Sequence, residues 1–122
     1  MNDQQIKKTA EAAAMHLMGA ECSQPFGPGV DVYKAFEKVF LLCSQHQGQR
    51  IVTLKCAPDN AVMLRDIYPS IKPGYHMNKK HWISVYPGDD ITESLLAELV
   101  NDSWHRVVDG LPKRDQKRLR PG

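Results

Sequence analysis

The residues best suited to binding chemistry are concentrated in one stretch, residues 72–82. This stretch holds three lysines, two histidines, two aromatic residues and an asparagine, and no acidic residue occurs between Asp66 and Asp89. Lysine ammonium groups bind phosphates as point charges, asparagine can donate to and accept from a base edge, and an aromatic ring can stack on a base. The pattern therefore predicts a site for a negatively charged or flat ligand. With one tyrosine from the following strand, the candidate residues are Lys72, Tyr75, His76, Asn78, Lys79, Lys80, His81, Trp82 and Tyr86.

A structural role for the same stretch stays open at this point. Pro73, Gly74 and Asn78 are typical turn residues, and Tyr75 and His76 can tie a loop to the body of the domain while the lysines remain solvated. Functional residues gather on loops that a rigid scaffold holds in place, which makes the case for binding stronger here than for an ordinary charged loop.

Neither catalysis nor a metal centre is predicted. No nucleophile lies in a recognised motif, no glycine-rich phosphate loop is present, and no carboxylate pair accompanies His76 and His81. Those two histidines lack a third ligand, and the three cysteines show no zinc spacing. We expect a non-enzymatic protein without a cofactor or a metal.

Length and composition indicate one ordinary globular domain. The chain has 122 residues, 42% of them apolar and 25% charged, and this length is enough for one core. No apolar run approaches the roughly 18 to 20 residues that span a bilayer, and the N-terminus lacks the pattern of a signal peptide. Unpaired cysteines suit a reducing compartment. The sequence therefore predicts a cytoplasmic protein with no membrane partner.

The charge is unevenly distributed along the chain. The net charge is only +2, yet residues 113–122 contain five basic residues and a single acidic one. We therefore expect a single domain over residues 1–112 and a basic tail over residues 113–122. The tail is either a solvated end or an arm that adds phosphate affinity independent of sequence.

Hydrophobic periodicity predicts three helices and at least four strands. Apolar residues recur at helical spacing over residues 2–18, 58–67 and 92–109, with Gly19 and Gly110 as stop signals and Pro58 as a start signal. Strands are expected at residues 30–33, 39–43, 51–56 and 82–86, with residues 69–81 irregular or a short edge strand. This order predicts an α+β fold, a two-layer sandwich of one antiparallel sheet with helices packed on one face.

Alternation along these strands predicts what the other face of the sheet carries. If Val32, Leu54 and Val85 point at the helices, then Tyr33, Trp82 and Tyr86 stand on the opposite, open face. Such an aromatic face can stack bases, can be a protein-binding or homodimer interface, or can be covered by the tail. The sequence leaves these alternatives open.

Several motifs resemble the MmcQ/YjbR family, over a span from Gly19 to Leu119. The resemblance implies a CyaY-like (frataxin-like) fold and a DNA-binding role. The chain departs from the family in two places. Its Glu37-Lys38-Val39-Phe40 stands where the family usually has a Gly-Lys-Met-Phe turn and strand, and its Trp104 stands where a tyrosine is usual. The motifs are Pro25-Phe26-Gly27, Tyr33-Lys34, Leu54-Lys55-x-x-Pro58, Leu64-Arg65-x-x-Tyr68-Pro69, Pro73-Gly74-Tyr75-His76-Met77-Asn78-Lys79-x-His81-Trp82 and Leu99-Val100-x-x-Ser103-Trp104.

Iron binding does not follow from the frataxin-like resemblance. Frataxin's iron chemistry uses an acidic first helix, whereas the first predicted helix here contains only Asp3 and Glu11. Hard cations need clustered oxygen ligands, so the residues argue against an iron site.

The leading hypothesis is a non-enzymatic module that binds DNA or another nucleic acid weakly and with little dependence on the base sequence. Residues 72–82 would supply the contacts. The alternative is a domain that binds a protein or small ligand, or associates with itself, through the open sheet face.

Overall fold

The computed structural model describes residues 1–119, so the last three residues of the predicted tail lie outside the described part. Within that part the order of elements begins with a helix and ends with two helices. The elements are α1 Asp3–Met15, β1 Ala20–Ser23, β2 Asp31–Ala35, β3 Lys38–His46, β4 Gln49–Lys55, α2 Pro58–Ile67, β5 Ile71–Pro73, β6 Trp82–Val85, α3 Glu93–Asp109 and α4 Lys113–Leu119.

The strands form one six-stranded sheet in the order β1-β2-β3-β4-β6-β5, and every neighbouring pair is antiparallel. Helices α1 and α3 pack together and cover one face of this sheet, and the core lies between them and the sheet. The predicted two-layer α+β fold is confirmed.

Helix α1 begins at a capping box. The Asn2 side chain accepts a hydrogen bond from the Gln5 amide, and the Gln5 side chain accepts one from the Asn2 amide, both at 2.9 Å. Ile6, Ala10 and Ala14 then follow at four-residue spacing and are fully buried. The predicted end at residue 18 was too late, because the helix stops at Met15.

Helix α3 is fastened to the sheet by a buried hydroxyl. Ser103 Oγ donates to the Phe40 carbonyl oxygen at 2.6 Å and accepts from the Lys55 amide at 2.9 Å. The helix begins after Thr92, whose side chain accepts from the Leu95 amide. One serine therefore joins α3 to both β3 and β4.

Three elements were not clearly predicted. Strand β1 is mostly exposed and carries no apolar alternation. Strand β5 is the short edge strand that the sequence offered as one of two alternatives. The first part of the basic tail forms α4, and the Gln116 side chain donates to the carbonyl oxygens of Asp109 and Leu111, which ties it to the end of α3.

The pairing register shows which residues share a face of the sheet. Tyr33 pairs with Leu41, which pairs with Leu54, and these residues belong to the core under the helices. Val32 pairs with Leu42 on the other face. The prediction that Tyr33 stands on the open face was therefore wrong, and Tyr33 is only 3% exposed.

The turn between β2 and β3 contains backbone strain. Phe36 and Glu37 have φ angles of 47° and 65°, in the left-handed region that disfavours residues with a Cβ. Glu37 stands where the family usually has glycine, which adopts this conformation at no steric cost.

Replacing Glu37 by glycine is expected to raise the free energy of unfolding by about 0.5–1 kcal/mol. Relief of roughly 1–2 kcal/mol of left-handed strain is partly offset by the greater freedom of glycine in the unfolded chain. Chemical denaturation measures the change. Glu37→Gln removes the charge and keeps the backbone strain, so its free energy of unfolding should match that of the parent protein. A less stable Glu37→Gly variant would show that the turn is not strained.

Candidate functional site

The loop between β5 and β6 closes on itself at a narrow neck. The Gly74 amide donates to the Trp82 carbonyl oxygen at 3.0 Å, and Lys79 Nζ donates to the Gly74 carbonyl oxygen at 2.8 Å. A Cβ on Gly74 would lie 2.7 Å from the Cβ of Trp82, so this close approach requires glycine. The neck fixes the loop relative to the sheet.

Asn78 shapes the tip of this loop. Its side-chain oxygen accepts from the Lys80 amide at 2.9 Å, and its carbonyl oxygen accepts from the amides of His81 and Trp82. These contacts agree with the structural alternative for Asn78, whose side-chain oxygen is already used within the turn. Lys80 is exposed at the tip.

A cavity of about 420 Å³ opens where this loop meets the end of β4 and the end of α3; we call it the basic cleft. Its cations are Lys55 and Arg106, and within residues 1–119 neither forms an ion pair. Arg106 Nε is buried without a hydrogen-bond partner in that part of the chain. The residues lining the basic cleft are Lys55, Asn78, His81, Trp82, Arg106, Asp109 and Gly110.

Further cations lie on two elements that adjoin the basic cleft, the loop tip and α4. Lys113 begins α4 only three residues after Gly110, so their Cα atoms lie at most about 11 Å apart. The guanidinium of Arg118 on α4 lies 5.4 Å from the centre of the Phe36 ring. The cations that lie on the loop tip and on α4 are Lys79, Lys80, Lys113, Arg114, Lys117 and Arg118.

A second cavity, of about 510 Å³, lies on the sheet face away from the helices; we call it the sheet groove. Leu42 and Thr53, a cross-strand pair, line it from the sheet. Phe26 from the loop before β2 and Tyr75 from the loop before β6 line it from above the sheet. The residues lining the sheet groove are Phe26, Val30, Leu42, Ser44, Gln45, Thr53, Tyr75, His76 and Met77.

Tyr75 is held in place by an aromatic cluster. The rings of His46 and Tyr75 stack with centroids 3.9 Å apart, and His46 Nδ1 shares a 2.7 Å hydrogen bond with the Tyr86 hydroxyl. The Tyr75 amide donates to Ser84 Oγ at 2.9 Å, and Ser84 Oγ in turn bonds Thr53 Oγ1. Burial raises the pKa of Tyr86, with the neighbouring Tyr75 adding to the shift, so this hydroxyl stays protonated at neutral pH.

The predicted site residues are divided between the two cavities and their surroundings. Asn78, His81 and Trp82 line the basic cleft, while Tyr75 and His76 line the sheet groove. The remaining predicted residues lie around these cavities: Lys72 pairs with Ser84 at the sheet edge, Tyr86 contacts His46, and Lys79 and Lys80 lie on the loop.

Trp82 does not fit its predicted role. We expected an accessible ring that stacks on a base, but Trp82 is only 9% exposed, because its strand is buried on both faces and Gly74 presses against its Cβ. Together with the burial of Tyr33, this leaves Tyr86 as the accessible member of the predicted aromatic face.

Sequence reasoning did not select Lys55 and Arg106 of the basic cleft, or Phe26 of the sheet groove, as site residues. Arg106 appears among the polar positions of a helix and carries no local signal, and Lys55 ends a strand far from it in sequence. Phe26 lies between Pro25 and Gly27 in one of the family motifs, and its place in that motif was the available signal.

Two of the three cysteines, Cys43 and Cys56, are poorly placed for nucleophilic chemistry. Cys56 lines a third cavity, of about 470 Å³, between α2 and α3, and burial raises the pKa of its thiol although Arg106 opposes the shift. Burial also raises the pKa of Cys43 to about 12, with Glu11 adding to the shift. Both groups are therefore thiols at neutral pH, whereas the nucleophile is the thiolate.

Residues 1–119 contain neither a cluster of metal ligands nor a membrane-spanning helix. No group of three or more histidine, cysteine or acidic residues is arranged to hold a metal ion there. No helix in the same range has both the length and the apolar character needed to cross a membrane.

Known proteins resemble this chain over most of its length. The protein YbdF of Escherichia coli O157:H7 is 55% identical over 122 residues, all of both chains. The protein YjbR of Escherichia coli strain K12 is 30% identical over 86 residues, which are 70% of this chain and 73% of that protein.

Solved structures resemble the fold. The protein DR2400 of Deinococcus radiodurans, which has a DUF419 domain, aligns with a TM-score of 0.80 and 31% identity, over 89% of this chain and 83% of that one. A Pseudomonas syringae protein aligns with a TM-score of 0.67 and 26% identity, over 88% of this chain and 99% of that one.

The family model named YjbR matches residues 15–106. The matched range begins at the end of α1 and ends at Arg106, so it includes the whole sheet, both loops of the sheet groove, and both cations of the basic cleft. As its motifs implied, the chain belongs to the YjbR family.

Proposed function

We propose that this protein is a non-enzymatic module that binds the phosphate backbone of DNA at the basic cleft. One observation carries the proposal: Lys55 and Arg106, which form no ion pair within residues 1–119, share one cleft with His81. Cations that have no protein partner are available to phosphate oxygens, and arginine can bind phosphate through two parallel hydrogen bonds.

The surrounding charge supports a polyanion as the ligand. The loop tip and α4 adjoin the residues that line the cleft and add cations, while Asp109 is the one carboxylate among the described residues of its lining. A polymer can reach several of these cations at once, and each phosphate contact releases a condensed counterion. The basic tail then acts as the arm that the sequence offered as one alternative.

The buried aromatic residues indicate how selective the contact is. Trp82 is 9% exposed and Tyr33 is 3% exposed, so neither offers a ring to an unstacked base. Phosphate contacts position a protein on the duplex without reading its sequence. We therefore expect binding that depends strongly on salt and weakly on base sequence.

The double variant Lys55→Ala, Arg106→Ala is expected to lower affinity for a labelled duplex about tenfold or more at roughly 50 mM salt. Loss of two phosphate contacts should also make the slope of log affinity against log salt shallower by about 1.8. Fluorescence anisotropy with two unrelated duplex sequences measures both quantities, and the losses should be equal for the two sequences.

Lys8→Ala is the matched control, because Lys8 is an exposed cation on α1 that lines neither the basic cleft nor the sheet groove. Its affinity and salt slope should stay close to those of the parent protein. Absence of parent binding at about 50 mM salt, where phosphate contacts are strongest, would refute the proposal. So would a folded double variant that binds as the parent does.

A further inference from the structure

We propose that the sheet groove is a second binding site, for a small neutral aromatic molecule. The groove and the basic cleft share no lining residue, and they involve different ends of the loop between β5 and β6. The proposal therefore stands independently of DNA binding.

Size and lining indicate a small molecule. The volume of about 510 Å³ falls within the range of roughly 300–1,000 Å³ that is usual for small-molecule sites. Val30, Leu42 and Met77 make the lining mainly apolar, while Ser44 and Thr53 add hydroxyls. An apolar cavity with few polar groups is typical of ligand sites.

The lining also indicates that the ligand is neutral. Among residues 1–119 the lining includes no aspartate, glutamate, lysine or arginine, and its one histidine is His76. A charged ligand would lose its hydration in this groove without gaining a charged partner, which is costly. A neutral molecule with one hydroxyl or similar group matches the hydroxyl of Ser44, which lies on the same sheet face as Leu42 by alternation.

The exposed ring of Phe26 indicates that the ligand is aromatic. Phe26 is 74% exposed although it lines the groove, and Gly27 and Gly29 shape its loop with φ angles of 92° and 96°. A flat ring entering the groove would cover this exposed apolar surface, and aromatic pairs gain attraction beyond the area that they bury.

The opposite wall of the groove is already rigid. Stacking on His46 and the hydrogen bond to Ser84 fix Tyr75, and Tyr86 fixes His46 in turn. A wall that is already rigid loses little freedom when a ligand binds, so a small ligand can bind without a large ordering cost.

The test is a titration of the full chain with 2-naphthol, followed by amide chemical shifts. Decahydro-2-naphthol is the matched probe, since it has the same carbon skeleton and hydroxyl without the aromatic ring. We expect saturable shifts at Leu42, Thr53 and Tyr75, and an affinity for 2-naphthol about fivefold or more above that for the saturated probe.

Phe26→Leu should reduce this preference to about twofold or less, because the apolar volume stays while the aromatic face is lost. Phe36→Leu is the control, since Phe36 is also exposed but lies outside the groove. It should keep the full preference, and DNA binding should be unchanged in Phe26→Leu.

Three results would overturn this inference. They are equal affinity for the two probes, no saturable shift at the groove with about 1 mM 2-naphthol, and dimerisation in ultracentrifugation that Phe26→Leu abolishes. The last result would assign the groove to a second copy of the chain.

Discussion

Leu96→Asp is expected to leave the chain unfolded at room temperature. Leu96 is fully buried in the core, on the face of α3 that packs against the sheet. Truncating such a leucine alone costs about 2–5 kcal/mol, and a buried carboxylate without a partner adds several more. The sum reaches the roughly 5–15 kcal/mol that holds a domain of this kind together. Circular dichroism and thermal melting measure the loss.

Ser94→Asp is the control for this experiment, because Ser94 is exposed in the first turn of the same helix. A carboxylate there interacts favourably with the positive end of the helix, so the melting temperature should hold or rise slightly. A folded Leu96→Asp protein with an unchanged melting curve would contradict the core assigned to α3.

Ser103→Ala is expected to lower the free energy of unfolding by about 2–4 kcal/mol. Removing the hydroxyl leaves the carbonyl oxygen of Phe40 and the amide of Lys55 without the partner that they share, and each such buried group costs roughly 1–3 kcal/mol. Denaturant unfolding measures the change from the shift in midpoint at constant slope.

Ser94→Ala serves as the comparison, because it removes an exposed hydroxyl from the same helix. Its effect should stay within about 0.5 kcal/mol. If Ser103→Ala falls in that same range, the hydroxyl does not fasten α3 to the sheet.

Helices α1 and α3 were predictable because each carries an apolar stripe, and α2 because prolines mark its two ends. The bounds of α2 agree exactly with the prediction, since Pro58 suits a first helical position and Pro69 closes the segment. The end of α1 was less predictable, because the chain still offers Leu17 and Met18 after the helix has stopped.

The faces of the sheet were harder to assign for a physical reason. Val32 and Tyr33 are 1% and 3% exposed, so both faces of β2 are buried and alternation does not show which one meets the helices. All four residues of β6 are buried too, which hides the orientation of Trp82. A strand covered on both sides lacks the polar face on which such predictions depend.

The two cavities depend on topology more than on local pattern. Lys55 and Arg106 line the same cleft because Ser103 holds α3 against the end of β4. Phe26 and Tyr75 line the same groove because two separate loops lie over the same sheet face. A short stretch of sequence contains only one residue of each pair. It therefore recognised the loop at residues 72–82 and missed its partners.

The neck between Gly74 and Trp82 separates the loop from the sheet that carries it. Because the chain enters and leaves through one pair of adjacent residues, the strands on either side keep their pairing whatever the length of the tip. Substitutions, insertions or deletions near Lys80 would change the rim of one cavity while the wall of the other stays fixed by Tyr75. The rim of the basic cleft can thus change while the wall of the sheet groove stays the same, and this requires glycine at position 74.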